Sequence, residues 1–454
     1  MKKLILLALL LVPIKVYAID ASDISKTSEY LINDVVNTKL NDDNIKTNVT
    51  LSPNDTLVIK SNTDNINQLY IVYEIESKTG TVKTSSNTVT KLGENRFLHE
   101  YVNLTNNSEF VSLNFDENVT ISEIKVFTEG STPTEIQKWS RENSTDLLIF
   151  STHADDEQLF FAGVMPTYIN KGKKVHVVYL ARHDIGAYAA PNRLHEQLDG
   201  LWALGVTDYP TFGIIPDAYS ESIDVARKQM NNAGFTDDDI IKFDVDAIRY
   251  YKPKVILGHD ENGEYGHGQH RLNISTLKEA VVKAADSQYL ISSYDPYSVP
   301  KFYIHLYDPE NQTVLDYDIP LENYNNKTAY QISKEGYAKH LSQQYTWFTK
   351  WLNGNNNDYT SATQITTYNP AYWGLYKTDV GPDVNKNDLF ENIKEDSNNK
   401  ENKENTEFNN DKEEIKRSLD DLYNKYRDLV IIVSGLVVIV GMILIVLIKR
   451  SEMK

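Results

Sequence analysis

The stretch Leu147-Leu148-Ile149-Phe150-Ser151-Thr152-His153-Ala154-Asp155-Asp156-Glu157 sets the reading of the whole chain. Leu147 to Phe150 is a short apolar run of the kind that forms a buried strand, and a histidine and adjacent carboxylates follow it at once. A helix is expected next. In open α/β sheets, functional groups gather where strands end at their carboxyl side. His153, Asp155 and Asp156 therefore fall at the rim of such a sheet. Neighbouring residues there point in different directions, so the two aspartates can do different work.

Moving outward, Lys174 to Leu180, with Val175, Val177 and Val178, and Val255 to Leu257 read as further buried strands. Leu194, Leu198, Leu201, Trp202 and Leu204 have helical spacing that ends at Gly205, and Asp238 to Tyr250 predicts another helix. This alternation indicates α/β units. After the third strand come Gly258-His259-Asp260 and Gly266-His267-Gly268-Gln269-His270. His267 and His270, three apart, share a face where a helix begins. An isolated Asp-Asp-Glu is common on solvated surfaces, and an isolated His-x-x-His is usually a helix face. Both at strand ends of one α/β unit make a more specific signal, that of a hydrolytic metal site. Catalytic zinc takes three nitrogen or oxygen ligands and keeps a fourth position for water. It lowers the pKa of that water and polarises a carbonyl. A second carboxylate can take the water's proton, and a nearby histidine can stabilise the oxyanion or protonate the leaving amine.

His153-Ala154-Asp155-Asp156-Glu157 resembles the HPDDE motif of the PIG-L/LmbE-like zinc deacetylases. Arg193-Leu194-His195-Glu196, with Leu204-Gly205-Val206, is similar to that family's RxxE segment and the LGV after it. Pro216-Asp217 resembles its PD turn, and Gly266 to His270 its GHxDH motif. Lys301-Phe302-Tyr303 and Ser342-Gln343 fit its later part. The resemblance covers residues 145 to about 350, or to 381. It implies a Rossmann-like, mostly parallel sheet and an N-acetylglucosamine-type substrate. It further implies zinc, or another divalent metal, held by His153, Asp156 and His270. Asp155 would be the general base, His267 the electrostatic catalyst and acid, and Arg193 and Asp217 would face the substrate. Ala154 and Gly268 stand where the family has proline. Gln269 stands where it often has an aspartate that orients the catalytic histidine.

Some residues keep two readings. Arg193 could pair with Glu196 on a helix surface instead of facing substrate, and Asp217 could be a turn residue. His259 and Asp260 read as supports of the ligands or as loop residues, and His176 and His195 as structural. Tyr345 to Trp351 reads as core, with exposed rings able to stack on sugars.

The 454 residues carry a net charge of −18 and no cysteine. Such acidity disfavours nucleic acid as a partner, and the missing thiols exclude a cysteine nucleophile and cysteine-ligated zinc. Lys2 and Lys3 precede the apolar run Leu4 to Val12, and Val16-Tyr17-Ala18 has small residues where a signal peptidase reads. The expected organisation is a signal peptide at 1–18, a β-rich domain at 19–130 and a linker at 131–144. The α/β deacetylase-like domain follows at 145–382, then a charged stalk at 383–428. The β-rich part is read as a small all-β sandwich, from the alternation at Leu69, Ile71, Tyr73 and Ile75. Leu429 to Ile448 carries no charge, is long enough to span a bilayer and is followed by Lys449 and Arg450. It predicts a single transmembrane helix with a cytoplasmic tail at 449–454. The expected protein is thus exported, held to the cell membrane by its C-terminal helix, with the catalytic domain outside. The expected activity is deacetylation of an N-acetylated sugar or glycan. The alternatives are an amidase acting on a larger acyl or thiol conjugate, and an inactive surface protein that binds glycans.

Overall fold

The computed structural model describes residues 20–394. The first ten strands are β1 (Ser28–Ile32), β2 (Val35–Val36), β3 (Val49–Leu51), β4 (Leu57–Ser61), β5 (Ile66–Tyr73), β6 (Gly80–Thr84), β7 (Val89–Leu92), β8 (His99–Ser108), β9 (Phe110–Phe115) and β10 (Val119–Phe127). They form two antiparallel sheets, ordered β2-β1-β4-β9-β6-β7 and β3-β10-β5-β8. The alternation in β5 explains its place. Leu69, Ile71 and Tyr73 are fully buried, with Tyr73 edge-on to Phe115 of the other sheet. Tyr70 and Val72, on the opposite face, are covered by Ala21, Phe127 and Ile136. Ile75, expected on the same face as Tyr73, lies past the end of the strand and is exposed. Residues 131–144 contain no helix and no ladder strand, yet Ile136 and Trp139 are buried.

The remaining strands are β11 (Leu147–Ser151), β12 (Val175–Tyr179), β13 (Ala181–Arg182), β14 (Ile215–Pro216), β15 (Val255–Gly258), β16 (Lys301–His305), β17 (Gln312–Val314) and β18 (Tyr372–Thr378). The helices are α1 (Asp156–Leu159), α2 (Val164–Asn170), α3 (Asn192–Ala203), α4 (Ile223–Asn232), α5 (Asp237–Tyr251), α6 (Gly268–Ala285), α7 (Ala329–Tyr337) and α8 (Phe348–Asn353). The main sheet runs β12-β11-β15-β16-β18-β17. Every residue of β11, β12 and β15 is buried, as the unbroken apolar runs require of strands covered on both faces. One face packs on α5 and α6, with Leu148, Phe150, Ile256 and Phe302 against Ile248, Leu277 and Val281. Thr236 and Asp239 cap α5 reciprocally, and Lys252 closes it in the left-handed conformation. Asp383, where the stalk was expected to begin, accepts hydrogen bonds from Tyr303 Oη (2.5 Å) and Thr313 Oγ1 (3.1 Å).

The expected fold class is corrected in two respects. The protein is mixed α/β, with antiparallel sheets in its N-terminal region and a main sheet that is itself mixed. β12, β11, β15 and β16 are mutually parallel, but β18 runs antiparallel to both β16 and β17. Apolar patterning identifies a strand without fixing the direction in which it enters a sheet. The single transmembrane helix is not supported either. Among the described residues no helix is long and apolar enough to cross a membrane. The longest, α6, carries Arg271, Lys278, Glu279 and Lys283 on its exposed side. Residues 1–19, 395–428 and 429–454, with the expected signal peptide, most of the stalk, the apolar segment and the tail, lie outside the described residues.

Candidate active site

The carboxyl ends of β11 and β15 bring the two histidine-bearing segments together. After β11 the chain turns sharply. Asp156 Oδ2 accepts the backbone N–H of His153 (2.7 Å), and Glu157 Oε2 accepts that of Asp155 (2.9 Å). Asp155 sits at φ 115°, in a region that non-glycine residues rarely adopt. Such strain persists where the surroundings over-determine it. Ala154 N–H donates to His183 Nε2 (2.9 Å), a bond that the proline of the related motif could not make. The second departure has the same cause. Gly268 N–H donates to Ser220 O (2.7 Å), and a Cβ there would lie 2.1 Å from Ser220 Oγ.

Three atoms converge. His153 Nδ1 lies 3.1 Å from Asp156 Oδ2 and 3.2 Å from His270 Nε2, and His270 Nε2 lies 3.1 Å from Asp156 Oδ2. The far side of each imidazole decides what they present. His153 Nε2 faces Gln269 Oε1 at 2.8 Å, and His270 Nδ1 faces Glu264 Oε2 at 2.8 Å. Both partners are acceptors, so those nitrogens carry the protons. The near nitrogens and the carboxylate oxygen then present three lone pairs to one point. Such a triangle is satisfied by a cation, either a metal ion or a further proton on His270. Ligands on a tetrahedral zinc with bonds of about 2.0–2.1 Å stand roughly 3.3 Å apart, so the residues present fit a metal ion. The local field agrees. Burial opposes charge on His270, but Asp156 and Glu264 outweigh it and raise its proton affinity to about 10. Burial likewise opposes ionisation of Asp156, yet His270 and His153 hold it well below the usual carboxylate range.

His259 also comes close, with ligand atoms of Asp156, His259 and His270 within 4.8 Å of one another. Its Nε2 lone pair, however, is taken by Thr152 N–H (3.0 Å), and its Nδ1–H by Glu264 Oε2 (2.8 Å). His259 therefore braces the loop. A ring nitrogen of His267 lies within 4.8 Å of those of His153 and His270. His267 caps α6, its Nδ1 accepting Gln269 N–H (3.1 Å). Its other nitrogen is thereby the protonated one. Burial, with His153 and His270 beside it, holds the imidazole far below its ordinary range, hence neutral.

Asp155, Arg193 and Asp217 form the other wall. Arg193 reaches from α3 to Asp155 Oδ1 (3.3 Å) and Asp217 Oδ2 (3.2 Å). Glu196, its alternative partner, is engaged by Ser342 Oγ (2.6 Å) and Ser342 N (3.0 Å). Burial pushes Asp155 up to about 7, against the pull of Arg193. Burial also acts on Asp217, but His153, His183 and Arg193 hold it ionised. His176 and His195 lie elsewhere: His176 is stacked on Tyr251, and His195 meets His99.

The sequence reading missed two roles. Gln269, which stands where the related motif often has an aspartate, holds His153 with its side chain and ties the Pro216-Asp217 turn to α6 through Pro216 O (2.9 Å) and Ala218 N (3.0 Å). Glu264 was not singled out at all. It is fully buried and accepts from His259, His270 and His305 (2.8, 2.8 and 2.7 Å). Its signal was a carboxylate lying between two histidine segments just past a strand.

Residues 148–284 match the family model described as PIG-L: GlcNAc-PI de-N-acetylase. The chain is 27% identical over 175 residues to the 1D-myo-inositol 2-acetamido-2-deoxy-alpha-D-glucopyranoside deacetylase 2 of Saccharopolyspora erythraea, which covers 34% of this chain and 63% of that one. It is 29% identical over 143 residues to the corresponding deacetylase of Acidothermus cellulolyticus, over 27% and 49% of the two chains. The chain thus spans about half to two-thirds of the length of the curated relatives it matches. Among solved structures, the N,N'-diacetylchitobiose deacetylase of Pyrococcus horikoshii is similar at 15% identity, TM-score 0.35, covering 51% of this chain and 84% of that one.

Proposed function

We propose, from the match of residues 148–284 to the PIG-L family model, that the protein is a metal-dependent deacetylase that hydrolyses the acetamide of an N-acetylglucosamine-type sugar in a glycan or glycoconjugate. The observation that carries the reading is the triangle of lone pairs on His153, Asp156 and His270, with each imidazole proton committed to the opposite side. These three residues would hold the metal, and two nitrogens with one carboxylate oxygen suit zinc. Bound there, zinc supplies a Lewis acid and a water acidic enough to be a nucleophile near neutral pH.

The chain's own groups do the rest. Asp155, with a proton affinity near neutrality, takes the proton of the attacking water and passes it to the leaving amine. Arg193 fixes the Asp155 carboxylate so that its lone pair faces the reaction rather than solvent. His267, neutral and protonated on the nitrogen away from Gln269, offers an N–H to the oxyanion as charge develops there. Asp217 and Arg193 face the sugar. Among the described residues Arg193 Nε is buried with no hydrogen-bond partner, a donor left over for a hydroxyl or carbonyl. The basic and apolar start of the chain, Lys2 to Val12, supports an exported address for this activity.

The test is acetate release from N-acetylglucosamine and its oligomers by the full chain, with zinc and then with a chelator. Zinc-dependent release that the chelator abolishes is expected. Stoichiometric zinc with no release from any N-acetylated sugar would overturn the proposed substrate class.

A further inference from the structure

The rim of the site carries aromatic rings that the proposed chemistry does not use. Tyr219 follows the Pro216-Asp217 turn and sets its ring edge-on to His267, 5.1 Å between centroids. Trp347, just before α8, meets Tyr265 at 5.9 Å, and Tyr265 meets His267 at 5.5 Å. Tyr219 is 59% exposed and Trp347 49%. Both are nonetheless pinned. Trp347 lies on Phe348, centroids 4.1 Å apart and planes 31° apart, and Tyr219 Oη donates to Glu221 Oε1 (3.1 Å).

Burial does not account for these rings, since each leaves about half its surface to water. Nor are they loose, so a ligand laid on them loses little side-chain freedom in binding. The flat C–H face of a pyranose is the chemistry that matches an exposed, fixed aromatic ring beside a polar centre. The rings stand outside the His153, Asp156 and His270 triangle, each reached through His267. A sugar stacked on them is therefore a neighbour of the unit being hydrolysed. The nearby carboxylates of Asp217 and Glu221, on a chain of net charge −18, disfavour a phosphorylated ligand.

We propose that Tyr219 and Trp347 form a stacking platform for the sugars flanking the reacting one, so that the preferred substrate is a neutral N-acetylated oligosaccharide or glycan chain rather than a single sugar. The reaction part of this statement rests on the deacetylase reading, whereas the binding part does not.

The experiment compares N-acetylglucosamine with its β-1,4-linked tetramer on the zinc-loaded full chain, following tryptophan fluorescence and acetate release. Tetramer binding should perturb the fluorescence. Trp347→Ala and Tyr219→Ala should each raise KM for the tetramer roughly tenfold, the loss typical of truncating a central contact ring. KM should rise far less for the single sugar, and Trp347→Phe should recover most of the difference. Zinc content, read on the same samples, reports that each variant is folded at the site. Wild-type KM for the tetramer in both alanine variants, or equal losses for both substrates, would overturn the platform. A tetramer that binds in a Trp347-dependent way but releases no acetate would uphold the platform and remove the deacetylase reading.

Discussion

Two regions of the molecule bury histidines against one another, and they do so with opposite hydrogen-bond arithmetic. Where the front sheets meet α3, Tyr70 Oη donates to His99 Nδ1 (2.9 Å), His99 Nε2–H to His195 Nδ1 (2.8 Å), and His195 Nε2–H to Glu74 O (3.1 Å). Gln137 Oε1, which accepts the Trp139 indole N–H, also lies 2.8 Å from His99 Nδ1. With both imidazoles neutral the line runs donor to acceptor from Tyr70 to Glu74, and His99 Nδ1 against Gln137 Oε1 is a contact between two acceptors. At the ends of β11 and β15, His153 and His270 instead send their protons outward and turn their lone pairs toward Asp156. In the first the two imidazoles meet through an N–H, whereas in the second their lone pairs converge with a carboxylate oxygen and are satisfied by a cation. Burial and hydrogen bonding of histidine are thus common to structural and metal-binding sites. The direction of the protons separates them.

The contrast can be broken most sharply at the metal triangle. His270→Ala removes one lone pair and leaves Glu264 short of a donor. It should abolish stoichiometric zinc and lower acetate release about a thousandfold or more, the kinetic worth of several kcal/mol of Lewis-acid stabilisation. Zinc retained by this variant, measured by metal analysis after dialysis, would mean that the triangle is not the metal site. Next in size is Asp155→Asn. It touches no ligand atom, so zinc should remain bound while kcat falls by about 10²–10⁴, the usual contribution of a general base. Full turnover by this variant would reassign the base. Glu264→Gln comes third. An amide can accept from only one face, whereas Glu264 serves three imidazoles, so one of them must meet an N–H instead. Competition with a chelator should show zinc affinity reduced roughly 10–100-fold, as for other groups that orient a metal-bound histidine. Unchanged affinity would reduce Glu264 to loop packing.

The centre was largely legible because its residues are close in sequence and each group follows a buried strand. His153, Asp155 and Asp156 come directly after β11, and His267 and His270 open the helix after β15. Arg193 and Asp217 lie 24 positions apart, and resemblance to a known motif, not spacing, singled them out. That the Gln269 side chain serves His153 is not legible, because adjacency along the chain does not say which way a side chain leaves the first turn of a helix. Glu264 was invisible for a related reason. Its three histidines come from the end of β15, the start of α6 and the end of β16, and only the fold brings them around one carboxylate. The same limit applies to the sheet, where the run Tyr372 to Thr378 shows a strand but not that it enters antiparallel. His195 reads as structural from the sequence, and its contacts with His99 and Glu74 join α3 to the front sheets.

That pair provides the smallest of the expected effects and the sharpest control. Burial lowers the pKa of His195 to about 4, with little opposition from its bond to Glu74 O. Burial, with His195 beside it, also holds His99 well below the ordinary imidazole range. In the unfolded chain both titrate near the usual value of about 6.5. As pH falls through that value the unfolded state takes up protons that the folded state refuses, so stability is full above about 6.5 and is lost on the way down to 4. For His195 the loss is on the order of 3 kcal/mol. His195→Leu removes one of the two titrations and leaves His99 Nε2–H without its acceptor. Denaturant unfolding should then show a loss of about 1–3 kcal/mol at pH 7.5 and a shallower decline between pH 6.5 and 4, with zinc content at pH 7.5 as in the wild type. An acid decline of unchanged steepness would mean that the pair does not shed its protons on folding. Loss of zinc would mean that α3, which also carries Arg193, transmits the state of the closed pair to the open one, and the two regions could no longer be treated as independent.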